Sequence, residues 1–292
     1  MITKEFKTID EQIEILKNRG LLIPDNTVAR DFLLRNNYYR ISGYSLTLRS
    51  HDIFNPNVTF QNIVDIYEFD HELRHIILQY IETIEVTVKS IYAYEFTKKF
   101  GPNGYLDCNH FSDAAKHKEI IDKGDKQKES RLPHEAYLKH YVIELKQDIP
   151  LWAYVDLLTI SDISFLYAIT DQSVKDAVAM DLGLNIQGAI LLSRFMHSLT
   201  IIRNLCAHGS RLFNRIFEQK PWLSKKEQKL LRKLSNGNID NGHLFSFILI
   251  MRRMLKAEEF YSLKGAINHL SQKYPFVNMV YYGFPENWDT II

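Results

Sequence analysis

Cysteine is scarce in this chain: the two present among 292 residues, Cys108 and Cys206, lie far apart. That number excludes a disulfide framework or a zinc ribbon and favours a reducing, cytoplasmic compartment. Charge of one sign is also missing, since 36 Lys and Arg against 35 Asp and Glu leave a net charge of +1. A basic surface for nucleic acid must therefore be local if it exists. Long apolar runs are absent as well. The longest, Leu244 to Met251, ends at Arg252 and Arg253, far short of the roughly 20 residues of a bilayer span. The opening MITKEFKTIDEQIEIL is amphipathic and acidic, without the basic start, apolar run and small-residue cleavage site of a secretory leader. No membrane association is expected. Strand-type alternation and fixed-period repeats do not occur.

What is present is helical patterning. Thr8-Ile9-Asp10-Glu11 fits a capping box, Ile9, Ile13 and Leu16 follow at helical spacing, and Gly20 closes the segment. A second helix is predicted over Thr27 to Asn36, before the aromatic turn Asn37-Tyr38-Tyr39-Arg40-Ile41-Ser42-Gly43-Tyr44. No proline or glycine interrupts Thr59 to Phe100, where Ile63, Ile66, Leu73, Ile77, Ile81, Ile84, Val88 and Ile91 recur at threes and fours. One long helix ending at Gly101-Pro102 is expected. Lys116 to Arg131 breaks the pattern with Lys, Asp, Glu, Gln and a glycine, which predicts a solvated, mobile loop. Further helices are predicted over Pro133 to Gln147, after N-caps at Ser161 and Asp171, over Ile186 to Ala207, after Ser224, over Leu244 to Lys256 and over Lys264 to Lys273. The fold class read from this is all-α. Residues 1–58 form an N-terminal helical lobe, 59–273 a helical bundle domain with the mobile loop at 116–131, and 274–292 an irregular strap.

The densest chemistry sits at Arg203-Asn204-Leu205-Cys206-Ala207-His208, followed by Gly209. Asn204 and His208 are four apart and share a helix face, with Arg203 on its flank, so all three can reach one phosphate. Gly209 is a natural left-handed stop, which leaves His208 in the last helical turn. RNA cleaves itself when its 2′-hydroxyl attacks the neighbouring phosphorus. Such a step needs one proton removed, another delivered and a phosphorane stabilised, and imidazole and guanidinium match those tasks. The bland alternative is that Arg203 and His208 hydrogen-bond carbonyls at a helix end. Against it, nine Lys or Arg face two acids, Glu218 and Glu227, between Arg203 and Lys233. That local excess fits phosphate binding.

The segment Arg203 to His208 resembles the R-N-x-x-x-H motif of HEPN-domain ribonucleases, and the phrasing around it resembles the AbiD/AbiF group of Abi-like abortive-infection proteins. Asn37 to Tyr44, Phe69-Asp70 with Leu73-Arg74, Ile84-Glu85 and Pro150-Leu151-Trp152 extend the likeness from about residue 5 to about 216. The resemblance implies an all-α HEPN-type bundle and a metal-independent endoribonuclease used against phage, acting on RNA without a cofactor and held inactive until triggered. On this chain it implies that Arg203 stabilises phosphate charge, Asn204 orients the phosphate or the histidine, and His208 is general acid or base. Arg211, Asn214, Arg215 and Lys220 are the expected RNA contacts, with no DNA partner. One histidine is too few for two proton transfers, so a homodimer with a composite site is expected, with an RNA or protein antitoxin as a further partner. Some HEPN toxins carry a tyrosine two residues after the histidine that is adenylylated. Ser210 stands at that position here. A non-catalytic RNA-binding regulatory module is the alternative.

A rival motif, His71-Glu72-Leu73-Arg74-His75, satisfies H-E-x-x-H, the zinc-protease spacing. Glu95 on the same helix would lie about 30 Å away, and Leu78 stands where the metzincin extension needs glycine. The simpler expectation is that Leu73 faces the core, Asp70 and Arg74 form an i, i+4 ion pair, and the histidines are exposed. One of Glu82 and Glu85 is expected beside a cation. Tyr38, Tyr39, Tyr44 and Trp152 are read as core aromatics, and Cys206 as a small buried filler.

Overall fold

Thr8 accepts the Glu11 amide and donates its own amide to the Glu11 carboxylate, the expected capping box, and so begins α1 (Ile9–Asn18). These are the first elements of a computed structural model that describes residues 5–185 and 187–292. The chain is all-α, 66% helical with almost no strand among those residues. Asp25 caps α2 (Asn26–Asn36), and the aromatic turn contains one further helical stretch, α3 (Tyr38–Ser42), whose Tyr39 amide donates to the Asn37 side chain. A two-residue hairpin, β1 (Arg49–Ser50) and β2 (Ile53–Phe54), pairs antiparallel with Arg49 opposite Phe54.

The uninterrupted apolar pattern becomes α4 (Phe60–Phe100), 41 residues that span about 60 Å at 1.5 Å per residue. Thr59 and Asn62 cap it, and Gly101 ends it at φ +79. Ile63, Ile66, Leu73, Ile77, Ile81, Ile84 and Val88 are buried as their spacing requires, whereas Ile91 is only half-buried. Phe32 of α2 meets Phe60 and Tyr67 edge-on, so the N-terminal helices pack on the start of α4.

The segment expected as a mobile loop is instead the helix α5 (Ala114–Arg131), capped by Asp113. Its charges are arranged as helical neighbours: Lys116 with Glu119, Lys118 with Asp122, Lys123 with Glu119 and Lys128 with Asp125. Exposed pairs of this kind contribute only about 0.2–0.5 kcal/mol each. Docking does the rest, through His117, Ile120 and Gly124, which are buried at helical spacing. His117 Nε2 donates to the Tyr105 carbonyl at 2.8 Å, and its ring stacks on Phe111. These anchors escape a hydrophobicity pattern because two of them are a histidine and a glycine. A Cβ on Gly124 would stand 2.2 Å from the Tyr154 hydroxyl, which donates to Ile121 O, and Tyr154 is itself buried. Gly124→Ala is therefore expected to destabilise the chain. Overpacking costs about 1–3 kcal/mol, which outweighs the roughly 1 kcal/mol of helix propensity that alanine adds. An unchanged or raised midpoint in chemical denaturation would contradict this docking.

Beyond α5, the helix expected over Pro133 to Gln147 is shorter, with α6 (Ala136–Lys139) running into a π-helical turn at His140–Glu144. Next come α7 (Leu151–Tyr154), α8 (Ile160–Ile169) and α9 (Gln172–Asp181). Asp171 caps α9 as expected, but the cap of α8 is Thr159, closing a box with Asp162, and Ser161 lies inside the helix. Trp152, expected in the core, is 53% exposed. Leu151 and Tyr154 take the buried positions of that single turn, which leaves Trp152 to line a surface groove with Ser90, Tyr94 and Thr97 of α4. Glu85 pairs with Lys89 at 2.7 Å.

The helix α10 (Gly188–Ala207) packs on α4, α8 and α9. Its expected first residue, Ile186, lies outside the described residues, as do residues 1–4 of the acidic start. The basic helix expected after Ser224 is one turn only, α11 (Lys225–Gln228), although its capping box with Glu227 is present. An apolar helix, α12 (Leu244–Met254), follows, and then α13 (Ala257–Lys273), which starts seven residues before Lys264. After Tyr274 the chain forms a 3-10 turn at Met279–Tyr282 and a last turn, α14 (Trp288–Ile291), with Tyr282 and Phe284 fully buried. No helix among the described residues is long and apolar enough to cross a membrane.

Candidate functional site at the end of α10

The end of α10 is closed by its own backbone. His208 is the C-cap, Gly209 adopts φ +62, the Gly209 amide donates to Cys206 O at 3.1 Å, and the Ser210 amide donates to Leu205 O at 2.8 Å. This is a Schellman motif, and it satisfies the Leu205 and Cys206 carbonyls without help from side chains. The charged groups are consequently left over. Arg203 is half-buried and donates from Nη1 to Asn204 Oδ1 at 3.4 Å, while Asn204 and His208 are exposed. Among the described residues, neither Arg203 nor the His208 ring bonds a helix carbonyl, which is what the bland alternative required. A guanidinium and an amide thus bond each other at an accessible helix end, with the His208 imidazole one turn beyond Asn204. His208 lines a neighbouring cleft, whereas Arg203 and Asn204 do not.

Facing His208 is α3. Arg40 Nη2 donates to the Gly209 carbonyl at 2.6 Å, and Arg211 Nη1 donates to the Gly43 carbonyl at 2.7 Å. These reciprocal bonds close a cleft of about 500 Å3, with Tyr39, Arg40, Ser42 and Leu46 on one side and His208, Ser210 and Arg211 on the other. The aromatic cluster expected in the core is split. Tyr44 is buried and Tyr38 half-buried, but Tyr39 is 83% exposed at the cleft.

Only one of the four expected RNA-contact residues shares this cleft. Arg211 lines it, whereas Arg215 bonds Arg211 O, lies 6.0 Å over the Phe217 ring and lines a different cavity with Ile201 and Leu205. Asn214 is half-buried at φ +49 with its amide on Tyr281 O, and Lys220 is exposed.

Behind the site lies the i, i+4 ion pair expected between Asp70 and Arg74, as part of a larger centre. The two side chains are buried, at 0% and 2% exposure. Five donors converge on the Asp70 carboxylate: Arg74, the Tyr44 hydroxyl at 2.8 Å, the Tyr282 hydroxyl at 3.1 Å, the Phe213 amide at 2.8 Å and the Leu212 amide at 3.2 Å. Burial pushes this carboxyl above the usual carboxylate range, and Arg74, Tyr44, Leu212 and Tyr282 pull it back. Every contact donates, so the ionised form is the one that fits. Asp70 thereby ties α4 to the N-terminal helices, to the loop just after His208 and to the C-terminal tail. Its only local signal was the i, i+4 spacing.

Cys206, inside the motif, is buried, and burial pushes its thiol up to about 12. It remains a neutral filler near physiological pH, whereas Cys108 is exposed. A thiol reagent at pH 8 is expected to modify Cys108 rapidly and Cys206 only after unfolding. Two rapidly reacting thiols in the native protein would contradict this packing.

The zinc-like motif is occupied otherwise. His71 and His75 are exposed with rings 4.5 Å apart, but Glu72 is held by Lys273 Nζ and the Tyr274 hydroxyl, both at 2.7 Å. Among the described residues no group of three or more His, Cys, Asp or Glu is placed to hold a metal ion.

Against known proteins, a family model described as Abi-like protein matches residues 31–214. The matched span contains both walls of the cleft, Asp70 and the Arg203-to-His208 group. No curated protein and no solved structure matches the chain.

Proposed function

This chain belongs to the Abi-like protein family, and from that membership and the side chains at the end of α10 we propose that it is a metal-independent endoribonuclease of HEPN type acting in abortive infection. The observation that carries the reading is that Arg203 and His208 stand at an accessible helix end where backbone amides, not these side chains, bond the Asn204, Leu205 and Cys206 carbonyls. Neither side chain is spent on a helix carbonyl, so both are available to a phosphate.

In the proposed reaction a ribose 2′-oxygen loses its proton to a base and bonds the adjacent phosphorus. The bond from phosphorus to the 5′-oxygen then breaks, and that oxygen takes a proton from an acid. The products are a 2′,3′-cyclic phosphate and a 5′-hydroxyl. Arg203 neutralises charge on the phosphorane, as a guanidinium fork does for phosphate oxygens. Asn204 orients the phosphate or the imidazole, and His208 performs one of the two proton transfers. The other falls to His208 of a second copy, which makes the active species a homodimer with a composite site. An RNA or protein that fills this site would act as an antitoxin.

The test is expression of the wild type, Arg203→Ala and His208→Ala in growing cells, with RNA ends sequenced. New ends and growth arrest for the wild type alone are expected, and cleavage in lysate is expected to survive EDTA. Equal RNA binding by all three with no new ends would replace the enzyme by a non-catalytic RNA-binding module.

A further inference from the structure

The walls of the cleft beside His208 come from segments 168 and 169 residues apart in sequence, pinned by the Arg211 and Arg40 bonds to opposite carbonyls. Each guanidinium carries five N–H donors, so one bond to a carbonyl leaves others for a ligand. No carboxylate is among the residues that line the cleft, and its two fixed cations favour an anion. The volume of about 500 Å3 lies within the 300–1,000 Å3 or so of small-ligand sites.

Tyr39 completes the chemistry. Its backbone is held on both sides, the amide by the Asn37 side chain at 2.9 Å and the carbonyl by the Ser42 hydroxyl at 2.8 Å. The ring nevertheless contributes almost nothing to the core, being 83% exposed, while Tyr44 in the same turn is 1% exposed. A rigidly mounted, exposed aromatic ring beside guanidinium groups is how proteins hold unpaired bases, because every base offers a π-face. Bases inside a duplex are already stacked and do not offer theirs.

Resting on the ribonuclease reading, we propose that this cleft is a nucleotide subsite on the same chain as His208. An unpaired RNA base stacks on Tyr39, and Arg40 and Arg211 receive the adjoining phosphate. The substrate is thus single-stranded RNA or a loop, and Tyr39 sets the register of the strand beside the cut, whatever the base. It touches the substrate without taking part in proton transfer.

The experiment uses the full chain carrying His208→Ala, so that bound RNA is not consumed, and a fluorescein-labelled single-stranded RNA of about 12 nucleotides. Adding Tyr39→Ala is expected to weaken binding about 5- to 150-fold, the equivalent of one stacked base, whereas Tyr39→Phe keeps the ring and the affinity. The same RNA annealed to its complement should bind more weakly and be indifferent to Tyr39→Ala. Equal affinity of Tyr39→Ala and Tyr39→Phe for the single strand overturns the subsite. So does a loss that tracks dissociation into monomers in sedimentation, since Tyr39 would then serve the dimer. Failure of the ribonuclease reading is seen separately, as absence of cleavage by the chain with His208 intact.

Discussion

Alanine at His208 is expected to slow RNA cleavage by about 10²- to 10⁴-fold, the usual worth of a general acid or base, with the thermal midpoint almost unmoved. The imidazole is exposed and the stop of α10 is made by backbone amides of Gly209 and Ser210, so its removal costs within about 0.5 kcal/mol of stability. Single-turnover kinetics on a single-stranded RNA and a melting curve read the two quantities on one sample. A large fall in midpoint would mean that His208 supports the fold, and an unchanged rate would remove it from the chemistry. Arg203→Lys is expected to fail as well, because an ammonium does not reproduce a planar fork on two phosphate oxygens. The proposed composite site adds a sharper expectation. With inactive His208→Ala subunits in about ninefold excess and free exchange, about 1 dimer in 100 holds two wild-type chains, although about 1 chain in 10 is wild type. Activity per wild-type chain should then drop about tenfold. No drop would show that each subunit cleaves alone.

Replacing Asp70 by asparagine is the second large effect, and it falls on stability. The side chain keeps its shape but loses its charge, leaving Arg74 buried without an anion and an amide N–H₂ facing donors. Removing one partner of a buried pair costs about 3–5 kcal/mol, and the thermal midpoint should fall by on the order of 10 °C. Tyr282→Phe removes one neutral donor and is expected to cost only about 0.5–1.5 kcal/mol. If the asparagine variant melted like the phenylalanine one, Asp70 would not be the centre that the geometry describes. Asp70 is a positioning residue. It holds the amides of Leu212 and Phe213, and with them the loop that leaves His208. Lowered cleavage in the asparagine variant should therefore be accompanied by faster amide exchange in that loop, a change that His208→Ala does not produce.

Local rules made α1, α4 and the end of α10 legible in advance. A capping box, an unbroken apolar period and a glycine after the last turn each act over a few residues. The Arg203, Asn204 and His208 group was readable for the same reason, since three residues on one helix end need no knowledge of the rest. Ser161 and Thr159 are both hydroxyl residues before an apolar run, and only the reach of Asp162 back to Thr159 decides between them. The charged helix α5 was hidden because its buried face includes His117 and Gly124. Trp152 was misplaced because a single turn buries only its two inward residues. The cleft and the Asp70 centre were beyond any local rule. Arg40 meets Gly209 across 169 residues and Asp70 meets Tyr282 across 212, and such contacts are set by packing.

That last separation also has a meaning in time. A chain made from its N-terminus presents Asp70 and Arg74 well before Leu212, and Tyr282 comes last, 212 residues after Asp70. At the 5–20 residues per second or so of synthesis, the wait is roughly 10–40 s. Until residues 209–213 emerge the two arginine latches have nothing to grip and the loop after His208 is untethered, and until Tyr282 follows the carboxylate lacks its last donor. A protein whose proposed target is RNA is thus translated in an incomplete form and completes its proposed cutting end late, after the stretch of message encoding that end has been read.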